Sequence, residues 1–301
     1  PSVGQFLAEL GCEVIKVESP SGDVTRTWYT GKHDPQPSSY FQGCNLGKKG
    51  VALTLNKKGN TTKNGLDDDY DHLLKLVSTA DIVLASYKPG DAKKLGVDFE
   101  TLRAKANSVG LIYAQITGYG DAGYGDQQQE VEVAEDGHEA RTSAAAREEA
   151  KCVPSYVSNT TRPGYDACIQ AEAGWMHLNG EADGPPTKMP VALMDLLAAH
   201  QLKQAILLAL YEREKCRTTS RGGASQSPVW QGKFLSVSLL RAAVCSLANQ
   251  GSAFLLSEGK TEPKRRGSDH PSIVPYGTVF YDKARKPFVL AVGTDTQFRK
   301  L

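Results

Sequence analysis

Leu73-Leu74-Lys75-Leu76-Val77-Ser78-Thr79-Ala80-Asp81-Ile82-Val83-Leu84-Ala85 is the stretch whose reading decides the fold class. Leu73, Leu74 and Val77 recur at helical spacing, whereas Ile82 to Ala85 is an unbroken apolar run, too short for a helix and fit for a buried strand. Working outward, a strand is expected near Val51 to Leu55 and another from Val14 to Val17. Before them Val3, Phe6, Leu7 and Leu10 share one helical face, and Gly11 stands where a helix-terminating glycine belongs. Downstream, Asp98 is a candidate N-cap for a short helix through Leu102, followed by a strand over Leu111, Ile112, Tyr113 and Ile116. Strands that alternate with helices imply an α/β fold built on a parallel sheet with flanking helices.

The strongest helical pattern runs from Val191 to Glu214, with Leu196, Leu197, Ile206, Leu207 and Leu210 crowding its apolar side; burial of most of this helix is expected. Phe234 to Ser238 reads as a strand, Leu239 to Phe254 as one helix, and Thr278 to Tyr281 and Phe288 to Val292 as two more strands. Two polar breaks interrupt the rhythm. Residues 127–161, rich in Gln, Glu, Ala and Ser, read as a surface insertion, largely disordered, in which Ala144 to Ala150 is long enough for one or two marginal helical turns. The second break covers 218–231. The expected organisation is a large domain over 1–231, a linker strand and helix over 232–250, and the start of a smaller α+β domain over 251–301. A first residue that is Pro1 rather than Met, and an end just after an apolar strand, lead us to expect that upstream and C-terminal portions are missing.

Composition narrows the function. The 301 residues are 40% hydrophobic and 23% charged, an enzyme-like balance. Lys plus Arg number 35 against 34 Asp plus Glu, so the net charge of +1 supplies no field for steering onto nucleic acid. No apolar run reaches the length expected of a membrane span. The six cysteines are scattered without a Cys-x-x-Cys pair, which reads as a reduced compartment, and the six histidines lie far apart, so no metal is expected. No targeting segment is visible; the location is read as intracellular, mitochondrial or cytoplasmic.

Gly118, Gly120 and Gly123 form a Gly-x-Gly-x-x-Gly after a strand, the spacing of a dinucleotide-binding turn. That turn needs a helix opening directly behind the glycines so that its amides meet the pyrophosphate. Here Tyr124 and the Gln-rich stretch follow, and the acidic partner expected about 20 residues on is absent. A glycine turn at a strand end is the preferred reading.

Several segments together resemble the class III CoA-transferase family (CaiB/BaiF). They are Leu7 to Glu18 with Gly22-Asp23 and Thr25-Arg26; Asn45 to Leu55 with Gly47-Lys48-Lys49; and Ala80 to Val83 with Tyr87-Lys88-Pro89-Gly90 and Leu95-Gly96-Val97. Ile116 to Gly120 is similar to a recurrent glycine turn, and Arg162-Pro163-Gly164-Tyr165-Asp166 resumes the pattern after the insertion. Pro190-Val191-Ala192-Leu193-Met194-Asp195 matches the segment that carries the family's nucleophilic aspartate. Lys264 to Ser268 and His270 to Tyr276 look like the version found in succinate:hydroxymethylglutarate (glutarate) CoA-transferases.

The resemblance implies a Rossmann-like fold, an interlocked ring homodimer, and exchange of CoA between an acyl-CoA and a carboxylic acid. It makes Asp195 the nucleophile, with coenzyme A as substrate and product and no metal. A carboxylate suits that chemistry, because its attack on a thioester gives an anhydride that a second carboxylate or a thiolate opens. The plainer reading of Asp195 is an acidic first-turn residue that meets the helix dipole, and the two are compatible. By position in the family pattern Leu53, Ser86, Tyr87, Lys88, Lys94, Leu95, Tyr165 and Asp166 fall at CoA contacts. Lys88 and Lys94 are suited to phosphate charge, or are simply solvated lysines. Ser86 and Ser19 depart from the Asn and Arg that many members carry. Arg26 is a candidate for the free carboxylate of a dicarboxylic acyl group, with a surface ion pair as the alternative. Gly118 and Gly120 are candidates for letting amides approach an oxyanion.

Two other readings are kept open. The α-methylacyl-CoA racemases share the fold but pair a His at the Tyr165 position with an Asp to move an α-proton; tyrosine, with a reference pKa of about 10, is a poor base at neutral pH. His177 is a candidate substitute base, with a structural role as the alternative. A non-catalytic CoA-binding relative is the other alternative.

Overall fold

The computed structural model describes residues 1–55, 67–120, 162–221 and 229–301. The expected insertion at 127–161, the helical turns at Ala144 to Ala150 and Gly123 lie outside the described residues, as does part of the second break. The described chain divides into two compact units, Pro1–Gly164 with Ala198–Leu239, and Tyr165–Leu197 with Leu240–Leu301.

In the first unit, helix α1 (Ser2–Glu9) buries Val3, Gly4 and Leu7 and stops where Gly11 turns to φ +88°. Strand β1 (Ile15–Glu18), helix α2 (Ser39–Gly43), strand β2 (Lys49–Ala52), helix α3 (Asp67–Thr79) and strand β3 (Ile82–Ala85) follow. Helix α4 (Asp91–Leu95) lies between two left-handed glycines, Gly90 and Gly96. Helix α5 (Phe99–Lys105) starts at Asp98, whose carboxylate accepts from the Thr101 amide at 3.2 Å, the cap read from the sequence. Strand β4 is Ile112–Thr117; β5, Lys233–Ser238, returns much later in the chain. The pairing is parallel, as expected, but divided between two hydrogen-bonded sheets: β1 with β2, and β3-β4-β5 with β4 central.

Both faces of β4 are buried, and its side chains part by the period of two. Leu111 and Tyr113 enter a core with Leu73, Val77, Phe99 and Leu102, in which the Tyr113 ring stacks on Phe234 at 5.8 Å. Ala114 and Ile116 point the other way, toward Val3 and the long helix. Buried Tyr113 satisfies its hydroxyl on the Val97 carbonyl at 2.9 Å. Burial of both faces of β4 explains why Leu111 to Ala114 reads as an apolar run rather than as an alternation.

That long helix, α8, runs from Leu193 to Arg221, so it reaches past the start of the expected second break. Its expected burial is corrected by the structure. Ala199, Leu202 and Ile206, spaced i, i+3 and i+7, face the β4-β5 side, while Leu196, Leu207, Leu208 and Tyr211 are exposed. One helix face covers a sheet; the opposite face is exposed among the described residues. By length and composition Leu193–Thr218 is apolar enough to cross a membrane, although polar residues punctuate it and break any continuous apolar run. Its packing against the sheet is that of a core helix.

The second unit holds α6 (Asp166–Glu172), α7 (Trp175–Leu178), the first turn of α8, helices α9 (Leu239–Cys245) and α10 (Ala248–Leu256), the antiparallel pair β6 (Tyr276–Tyr281) and β7 (Pro287–Ala291), and α11 (Asp295–Phe298). The single helix expected over Leu239 to Phe254 is two, bent by 76°. Ala248 takes φ +48°, and a left-handed residue ends the right-handed ladder there. Trp175 donates its indole N–H to the Ala243 carbonyl at 3.1 Å, which ties α7 to α9.

Candidate active site

Asp195 occupies the first turn of α8, and it is built into the second unit by α6. Tyr165 is the N-cap position of α6 and is exposed; Asp166 follows as its first helical residue. The Asp166 carboxylate does not cap its own helix. One oxygen accepts from the Met194 amide at 2.7 Å and the Asp195 amide at 3.3 Å, two of the four N–H groups that a helix start leaves without intrahelical partners. Its other oxygen accepts from Gln170 Nε2 at 2.6 Å. Asp166 thus spends both oxygens on protein donors.

Gln170 lies one turn after Asp166 on α6 and is fully buried. Its Nε2 also donates to the Val191 carbonyl at 3.3 Å, and its Oε1 accepts from the Met189 amide at 2.8 Å. A buried amide must find such partners or lose the free energy of its hydration. Here the partners are the carboxylate that caps α8 and the backbone of the segment leading into α8. The sequence reading missed Gln170, although its spacing of four from Asp166 places both on one face of α6.

The Asp195 side chain reaches solvent, yet the surrounding protein raises its pKa to about 6, through loss of solvation first and then the like charge of Asp166. A helix N-terminus favours the ionised form, and these two influences overcome it. The result is a carboxylate that is ionised at neutral pH and more basic than an ordinary aspartate. His177, weighed as a substitute base, places Nε2 3.2 Å from the Pro263 carbonyl and accepts Arg265 Nη1 on its own carbonyl at 3.0 Å. Those contacts are structural, between α7 and the 263–265 segment.

In the first unit, the remaining candidates follow the carboxyl ends of parallel strands: Leu53 after β2, Ser86, Tyr87 and Lys88 after β3, and Gly118 and Gly120 after β4. In open α/β sheets this is the end at which ligands bind. Ser86, Tyr87 and Lys88 each keep exposed surface, and partial burial of Tyr87 raises its pKa through lost solvation. Lys94, on α4, lies 3.1 Å from Asp91 and is otherwise open to solvent. Leu53 is a core residue and Leu95 is half-buried against the same core.

Arg26 is held as an ion pair, the alternative raised by the sequence. Its Nε and Nη2 bond both oxygens of Glu18 at 2.9 and 2.8 Å, and the guanidinium lies 3.9 Å from the centroid of the Phe41 ring. The pair lowers the Glu18 pKa. Gly118 has a steric role: a Cβ there would stand 2.5 Å from Gly164 Cα, so the turn after β4 and the segment before α6 approach backbone to backbone. The Arg162 guanidinium over the Tyr119 ring at 4.8 Å closes the same approach. Gly120, at φ +112°, donates its amide to Thr117 Oγ1 at 2.9 Å. Among the described residues no group of three His, Cys, Asp or Glu side chains is placed to hold a metal ion.

The model of CoA-transferase family III matches residues 1–144 and 154–301. The succinate–glutarate CoA-transferase of Agrobacterium fabrum is 31% identical over 100% of this chain and 61% of its own length. The succinyl-CoA:mesaconate CoA-transferase of Haloarcula marismortui is 28% identical over 100% of this chain and 62% of its own. A crystal structure of a CaiB/BaiF family protein from Brucella suis superposes with a TM-score of 0.70 at 32% identity, covering 100% of this chain and 64% of that one. This chain therefore spans about six-tenths of the length of the relatives it matches. With nearly every residue inside the family match, and the mixed α/β architecture shared with a solved member, the chain belongs to CoA-transferase family III.

Proposed function

We propose that the protein moves CoA from a dicarboxylic acyl-CoA of the succinyl-CoA kind to an acceptor carboxylic acid, with Asp195 as covalent nucleophile. The observation that carries this reading is a solvent-reaching carboxylate at a helix start whose pKa is about 6, charged at pH 7 yet unusually basic. In the first step an Asp195 oxygen attacks the thioester carbonyl, the C–S bond breaks, and CoA leaves as thiolate from a mixed anhydride. The thiolate then attacks the Asp195 carbonyl, which releases the donor acid and leaves an aspartyl thioester. The acceptor carboxylate displaces CoA to give a second anhydride, and CoA takes the acceptor acyl group and frees Asp195. Each step exchanges one oxygen or sulfur nucleophile for another, so no redox change occurs.

Support for the CoA end of the reading comes from Ser86, Tyr87, Lys88 and Lys94, exposed around the carboxyl end of β3, where a phosphate and an adenine need cationic and aromatic partners. Leu53 and Leu95 belong to the core behind these residues, and Gly118 and Gly120 shape the turn after β4; in the second unit Tyr165 offers an exposed ring. Asp166 serves Asp195 rather than CoA in this account. A homodimer belongs to the same proposal, to be read as twice the chain mass in light scattering.

The test is turnover. Incubation with succinyl-CoA and a panel of acids, glutarate and mesaconate among them, should give a new acyl-CoA and free succinate in equal amounts. Incorporation of solvent deuterium at the α-carbon without CoA transfer would replace this reading by a racemase; CoA binding with neither reaction would replace it by a binding protein.

A further inference from the structure

We infer that Gln170 is a positioning residue for acyl transfer, holding the start of the Asp195 helix in register through Asp166 and through the backbone on both sides of Pro190. The inference rests on Asp195 being the nucleophile. It adds a residue that touches neither substrate nor the reacting atoms.

The geometry converges on one amide. Gln170 carries one acceptor oxygen and one donor nitrogen, and all its partners bear on Asp195. Through Nε2 it holds the Asp166 carboxylate at 2.6 Å, and that carboxylate holds the Met194 and Asp195 amides. Through the same nitrogen and through Oε1 it holds the Val191 carbonyl and the Met189 amide, either side of Pro190. The entry to α8 is therefore fixed twice, along the chain and across from α6. A fully buried polar side chain with this bond set does not earn its place by packing alone, since leucine would fill a similar volume without hydration to lose. Attack on a thioester needs the oxygen within a near-attack distance, and an ångström of displacement costs about 100-fold in rate. Charged groups tied to this network are Asp166 on its own helix, whose charge acts on Asp195, and Lys188, whose ammonium bonds the Met189 carbonyl at 2.5 Å.

Two variants of the full chain test this. Gln170→Leu keeps the bulk and removes every bond; it should bind acyl-CoA with a KM within about twofold of the unaltered protein and form the Asp195 adduct about 10- to 100-fold more slowly. Gln170→Glu returns the donor only when protonated. Its rate, divided by that of the unaltered protein at each pH, should therefore be highest at pH 6 and fall at least about fivefold by pH 8.5, as a second carboxylate comes to face Asp166. A packing role predicts a flat ratio. If Gln170→Leu does not fold, the Gln170→Glu profile decides alone. A flat ratio, a Gln170→Glu protein inactive even at pH 6, or unchanged rates in Gln170→Leu overturns the positioning role while leaving Asp195 as nucleophile. A hydroxylamine-trapped adduct on any other residue of the unaltered protein overturns both.

Discussion

Asp195→Asn should make the protein more stable at neutral pH, and the gain should vanish in acid. In the folded chain the carboxyl has a pKa of about 6 against an ordinary value of 3.8. Between those two values the folded state holds its proton and the unfolded state does not, so stability falls as pH rises from about 4 through about 6. Were the group fully shielded, the gap would amount to about 3 kcal/mol. Because the side chain reaches solvent, screening reduces this to about 1 kcal/mol. Asparagine carries no charge at any of these pH values, so the variant escapes the loss. The expected result is equal stability of variant and unaltered protein near pH 4 and a variant more stable by about 1 kcal/mol, or about 2 °C in Tm, at pH 7.5. Thermal unfolding followed by circular dichroism across that range reads it. Carboxylates that do not interact with Asp195 titrate alike in both proteins and cancel in the difference. A variant equally stable at pH 7.5, or a difference that does not change between pH 4 and pH 7.5, would refute the electrostatics assigned to this site.

Asp166→Asn keeps an acceptor oxygen for the Met194 amide but removes the neighbouring charge, so the Asp195 pKa should fall from about 6 without reaching 3.8, since burial is the larger cause; carboxyl carbon NMR of labelled aspartate checks it, and an unchanged titration would discard the coupling. Asp23 bonds Lys16 at 2.7 Å and caps Thr25 at 2.9 Å, and although burial works against the charge, these bonds bring its pKa to about 2. Its stabilisation is complete above 3.8 and is lost as pH falls through about 2, so Asp23→Ala should cost about 1–2 kcal/mol at pH 7 and less at pH 2, measured by urea unfolding. Gly118→Ala drives a methyl group against the Gly164 backbone and should destabilise by about 1–3 kcal/mol in the same assay; no loss would mean that the turn after β4 yields easily.

Local order was legible where one signal dominated. Ile82 to Ala85 form the expected strand because four consecutive apolar residues between polar flanks are too short for a helix and suit a parallel strand, although Leu84 stays exposed. Asp98 caps α5 because its carboxylate and the Thr101 amide are three residues apart, a distance fixed by helix geometry. Errors arose where tertiary context decides. The periodicity of α8 marks an apolar face but not its width, so Leu207 was expected inside and lies outside. The break between α9 and α10 turns on the left-handed Ala248, a residue type that gives no local warning. A division of the parallel strands into two sheets depends on which edges meet, and no spacing along the chain records that.

The candidate site shows the same boundary. Asp195, Asp166, Lys88 and Tyr87 stood out in the sequence through the family pattern. Gln170 did not, because glutamine in a helix is ordinarily a surface residue, and only the burial of its amide among Asp166, Met189 and Val191 gives it meaning. Arg26 carried two readings, and its pairing with Glu18, eight residues away along the chain but within hydrogen-bond distance in space, is visible only in the fold.

The most direct measurement of the central claim is to mix the protein with succinyl-CoA in the absence of any acceptor, add borohydride, and sequence the peptides by mass spectrometry. Reduction of an aspartyl thioester yields homoserine, and the account predicts homoserine at position 195 together with released succinate. Homoserine at another aspartate, or none at all while CoA transfer proceeds, would contradict it.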